Sequence, residues 1–116
     1  MSYYVHLSVN CSCGGRTNPE ERDVFSSNYT SNCSRMWDAA GCSLRDWAYD
    51  KVAGRRASTL IEPLRTAIRT MEEDPQRFRE MEPDNRWGSY DGALKWLRSI
   101  LSACEEYPEA SVYVRN

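Results

Sequence analysis

Two short segments of the 116-residue chain carry side chains suited to holding a planar, polar ligand. The first is Asn28-Tyr29-Thr30-Ser31-Asn32, followed closely by Met36-Trp37. Amide groups both donate and accept hydrogen bonds, and a hydroxyl does the same, so such residues can read a base edge or a ribose. A strand running to residue 32 would place Asn28, Thr30 and Asn32 on one face as a polar ladder. The same residue types also serve locally: Asn32 can cap a helix and Asn28 can close a turn. The second segment is Pro83-Asp84-Asn85-Arg86-Trp87-Gly88-Ser89-Tyr90, which leads into the longest apolar-periodic stretch. There the start of a helix offers N–H groups to an anion, Arg86 offers a fork, and Trp87 offers a stacking face, with Ser89 and Tyr90 alongside. The competing role for Trp87 is a buried plug between two helices, with Gly88 permitting the turn.

Other chemistry is sparsely provided. Cys11, Cys13, Cys33, Cys42 and Cys104 are spaced irregularly and fit no zinc-knuckle pattern, even with His6 added. They read as compact buried thiols, and no metal is expected. His6 is the sole histidine and lies within an alternating segment, where a satisfied sheet residue is expected. Nucleophile-elbow, zincin and phosphate-loop motifs are absent. Glu72-Glu73 and Glu105-Glu106 are neighbours on helices, so their carboxylates do not face each other. Neither catalysis nor a cofactor is expected.

The elements that must position these residues follow from hydrophobic period. Tyr3, Val5, Leu7 and Val9 alternate with Tyr4, His6 and Ser8, which predicts a strand buried on one face. Residues 13–19 are dense in turn formers, residues 20–23 read as solvated surface, and Val24 to Thr30 reads as a second strand completing a hairpin. A short helix carrying Met36, Trp37, Ala39 and Ala40, capped by Ser34 or Asn32, should stop at Gly41, and Leu44 to Tyr49 suggests another turn. The capping-box spacing from Thr59 to Glu62 precedes a helix over about 60–73. Asp74-Pro75 starts a short helix to Met81. The final helix carries Tyr90, Ala93, Leu94, Leu97, Ile100, Leu101 and Cys104 on one stripe, with Lys95 and Arg98 facing away. Val112 to Val114 forms a terminal strand expected to pair with the first. The sum is an α+β domain over 1–116, with helices on one face of a small, mostly antiparallel sheet.

Composition narrows the partners. Leu, Ile, Val and Phe supply only 18 residues, but four Trp and seven Tyr can replace the missing aliphatic burial, and the net charge is only −2. With 15 basic residues against 17 acidic, the chain lacks the positive field that genomic nucleic-acid binding requires. No apolar run suits a membrane span or an export signal, so a cytoplasmic location with reduced cysteines is expected. The sequons at Asn10, Asn28 and Asn32 are then inert.

An opening Met-Ser-Tyr strand, Asn28-Tyr29-Thr30-Ser31-Asn32 leading to Met36-Trp37, Arg86-Trp87-Gly88-Ser89-Tyr90-Asp91-Gly92-Ala93-Leu94 and a closing Pro108 to Val114 run through the chain. In these motifs it resembles a group of small tailed-phage proteins over nearly its whole length. It departs from that group at Cys33, where an apolar residue is expected, at Arg35, where the group has Pro, and at Asn85-Arg86, where Asn-Gly is common. The resemblance carries no established mechanism. By analogy, it implies a noncatalytic accessory factor acting in the host cytoplasm, such as an anti-defence sponge that sequesters a cyclic-nucleotide or ADP-ribose type of immune signal. A homo-oligomer would complete its site. The alternatives are a protein-binding inhibitor of a host defence enzyme and, third, a nucleotide-cleaving enzyme.

Overall fold

The computed structural model describes residues 2–11, 20–42 and 55–115. Strand β1 spans Ser2–Cys11 and pairs antiparallel with β2, Glu20–Thr30. A register shift after Leu7 lets β2 continue through the charged residues 20–23, so these belong to the strand and not to a surface loop. A 3-10 turn, Ser31–Cys33, leads directly into helix α1, Ser34–Ala39, with Ala40 as its C-cap and Gly41 just beyond it at φ 92°. Residues 13–19 and the turn expected at Leu44 to Tyr49 lie outside the described residues.

A two-residue strand, β3 (Arg55–Arg56), opens the second half. The 3-10 turn Ala57–Leu60 precedes helix α2, Ile61–Glu73, followed by α3, Pro75–Arg79. The expected capping box does not form, because the Thr59 hydroxyl donates to the Arg56 carbonyl oxygen instead, at 2.7 Å. Pro63 sits in the first turn of α2, where its missing N–H costs nothing. Helix α4, Tyr90–Glu106, has Ser89 as its N-cap, and β4, Ser111–Arg115, closes the chain.

The sheet order is β2-β1-β4-β3, antiparallel throughout. Val5 faces Val114 and Leu7 faces Val112, so the two ends of the chain meet inside the sheet. These residues and Tyr3 are buried and form one core with Leu64, Met71, Leu97 and Ile100 of the two long helices. The fold is α+β, with helices packed against a four-stranded antiparallel sheet. Along α4 the buried stripe is wider than its sequence suggested: Trp96 and Ala103 join it, while Leu101 is only half buried at its edge. Among the described residues no helix is long and apolar enough to cross a membrane.

Candidate functional site

The end of β2 and the loop before α4 meet, and Tyr29 joins them. Its partner across the strand pair is Tyr3, which places it on the covered face of the sheet. The ring stacks on Trp96 at 5.8 Å and meets Trp37 edge-on at 6.1 Å, while Trp37 also contacts Tyr3 and Trp96. The phenolic oxygen accepts the Ser89 N–H at 3.1 Å. Two further bonds tie the loop down: Asn32 Nδ2 donates to the Trp87 carbonyl at 3.4 Å, and Cys33 Sγ lies 3.9 Å from the Ser89 carbonyl. Gly88 has φ 108°, and a β-carbon there would lie 2.7 Å from both Cys33 Sγ and Thr30 Cγ2. Only glycine permits so close an approach.

The polar ladder does not extend as expected. Asn28 pairs with Tyr4 and is exposed on the opposite face of the sheet from Tyr29. Strand β2 ends at Thr30, whose hydroxyl accepts the Asn32 N–H at 3.3 Å and bends the chain into the 3-10 turn. Thr30 therefore caps the 3-10 turn, while α1 has Cys33 at its N-cap with no side-chain bond; neither Asn32 nor Ser34 caps the helix, and Asn32 turns towards Trp87. Met36 and Trp37 are fully buried, and Trp37 Nε1 finds no acceptor among the described residues. Tyr90 is buried too: its hydroxyl donates to the Met71 carbonyl at 2.7 Å, and burial raises its pKa. These three residues support the surface from below. Trp87, by contrast, is 72% exposed and does not plug the gap between helices.

The start of α4 is satisfied from within. Ser89 Oγ accepts the Gly92 N–H at 3.0 Å, the Trp87 N–H goes to Asn85 Oδ1, and the Arg86 N–H goes to the Pro83 carbonyl. Asp91 adds negative charge in the first turn and pairs with Arg79 at 3.2 Å. An anion at this helix end would meet a carboxylate and few spare donors.

Compared with protein-family models, curated proteins and solved structures, the chain matches none.

Tyr3, Cys33, Trp96 and Gly92 were not among the expected site residues, yet they hold the site. Trp96 falls three residues after Ala93 and four before Ile100, a second helical stripe visible in the sequence. The other polar constellation is on β1 and β2, where Asp23 accepts from Ser8 at 2.5 Å and its second oxygen lies 3.7 Å from His6 Nδ1. Asp23 occupies both neighbours, so Ser8 is not activated by His6 as a nucleophile would be. Among the described residues no group of three metal-ligating side chains converges, and the side chains of Cys11 and Cys13 lie outside them. Burial pushes the Cys33 thiol up to about 11, with Glu82 adding to the shift, so it stays protonated at neutral pH.

Proposed function

We propose that the chain is a noncatalytic protein that binds and sequesters a nucleotide-type small molecule, as an anti-defence sponge in the cytoplasm of a phage host. The observation that carries this reading is Trp87, a large ring 72% exposed on a loop fastened to the sheet by Tyr29 and Asn32. A stacking ring on a loop whose backbone is already fastened costs less chain freedom when a base settles on it. Asn32, whose amide nitrogen donates to the Trp87 carbonyl, lies at this loop to meet a polar edge. With Trp37 buried and Asn28 on the other sheet face, one protomer does not close a recess from the expected residues, so a second copy supplies the opposite wall.

A protein partner is the second reading. It is favoured by Tyr4, 46% exposed, which with Trp87 makes the two exposed large hydrophobic residues among those described. Trp, Tyr and Arg are the side chains that most often anchor protein interfaces.

Thermal denaturation against cyclic dinucleotides, cyclic trinucleotides and ADP-ribose derivatives separates the two. A ligand at 100 times its Kd adds roughly 2.7 kcal/mol, a shift of about 10 °C for a chain of this size. The shift should vanish in Trp87→Ala, and the ligand should be recovered intact after heating. An unresponsive panel transfers the reading to the protein partner, and a cleaved product transfers it to an enzyme.

A further inference from the structure

Arg86 occupies a backbone conformation that suits it poorly. Its φ is 62°, and it is the one non-glycine residue with positive φ among those described. A β-carbon in this left-handed region crowds the neighbouring backbone, so glycine or asparagine is the usual occupant. Nothing within the described molecule repays the arginine side chain. The residue is exposed, and its guanidinium makes no ion pair or hydrogen bond among the described residues. Its immediate neighbour is the exposed Trp87, and both sit on the loop pinned by Tyr29 and Asn32. The other anion-binding feature nearby, the start of α4, is capped by Ser89 and carries Asp91.

We infer that Arg86 recognises the anionic group of the ligand, a phosphate, while the ligand's planar part lies on the Trp87 ring. The inference rests on the nucleotide reading above. Residues held in strained conformations persist where the surroundings enforce them, and they gather at functional sites. The unpaired fork beside a stacking face then accounts for an arginine where glycine would be more comfortable.

The test uses quenching of tryptophan fluorescence, with cyclic di-AMP and ADP-ribose as charged probes and adenosine as the uncharged one. Of the four tryptophans, Trp37 and Trp96 are buried and Trp47 lies outside the described residues, so Trp87→Phe and Trp47→Phe controls assign the signal to its reporter. Arg86→Gly should raise the Tm of the free protein by about 2–5 °C as the strain is relieved. It should also weaken the charged probes at least tenfold, leave adenosine unchanged, and reduce the salt dependence of binding. Arg86→Lys, which keeps the charge, should retain part of the affinity. If Arg86→Gly binds the charged probes as tightly as the unsubstituted chain, the inference falls and the nucleotide reading stands. Equal loss of adenosine and the charged probes would overturn the anion role by showing that the loop itself had changed. Should the unsubstituted chain bind none of the three, the nucleotide reading and the inference fall together.

Discussion

The Tyr29 hydroxyl is the smallest feature on which the junction between the two segments depends. Replacing it by Phe removes the acceptor of the Ser89 N–H and should cost about 1 kcal/mol. Gly92 lies against the same oxygen, and a β-carbon there would overlap it. Gly→Ala inside a helix ordinarily stabilises by about 1 kcal/mol, but here overpacking reverses the sign and Gly92→Ala should destabilise by roughly 1–3 kcal/mol. Urea denaturation of both single variants and the double variant measures the coupling; the Gly92→Ala penalty should shrink once the hydroxyl is gone. Stabilisation by Gly92→Ala alone would refute the packing. The buried thiols make a second prediction at this scale. Burial holds Cys33 and Cys104 up at about 11 and Cys42 at about 12, against 9.0 for a free thiol. Above pH 9 the unfolded chain therefore ionises first. The stability these thiols contribute is complete below that point and is lost as the pH climbs towards 11–12. Cys104→Ala should flatten the decline measured by denaturant titration between pH 8 and 10.5, and an unchanged slope would argue against its burial.

Helix α4 is the element that brings site and core together, since its first turn caps the loop while its buried face meets α2 and the sheet. Leu97 is fully buried, so Leu97→Ala should cost roughly 2–5 kcal/mol. Arg98 pairs with Glu72 at the surface, 3.2 Å apart, and Arg98→Ala should stay within about 0.5 kcal/mol. Half-buried Leu101 should fall between them, and equal costs at all three positions would show the helix in another rotation. This helix was legible because its apolar residues repeat over more than four turns. Strand β3 was not, since two exposed arginines have no period to read. The Asn28 ladder failed for a related reason. Ser, Thr and Asn look like rungs when counted in twos, but each can bond its own backbone, and Thr30 did so with the Asn32 N–H. Tyr29 as the joint between the two site segments was not legible either, because a bond spanning 60 positions leaves no local pattern.

At the scale of the whole molecule, the last strand lies inside the sheet and not at its edge. Strand β4 stands between β1 and β3, so the sheet stays divided until residues 111–115 are in place. Closing a loop nearly as long as the chain carries an entropic cost that only the full set of core contacts repays. Val112 and Val114 supply part of that core, opposite Leu7 and Val5. Removing residues 111–116 would thus expose the inner edge of β1, strand β3 would lose its partner, and two buried side chains would go. The shortened chain should keep some helical far-ultraviolet signal from α2 and α4, yet lose the near-ultraviolet signal of the Tyr29, Trp37 and Trp96 cluster and its cooperative thermal transition. Val112→Ala supplies the milder version, about 1–3 kcal/mol with the fold intact. A shortened chain that melted cooperatively at the original midpoint would mean that the first two strands and the helices fold without β4. In that event Tyr29, Asn32 and Cys33 would still hold the Trp87 loop without β4, and the bond from the Ser89 N–H to Tyr29 would survive the truncation.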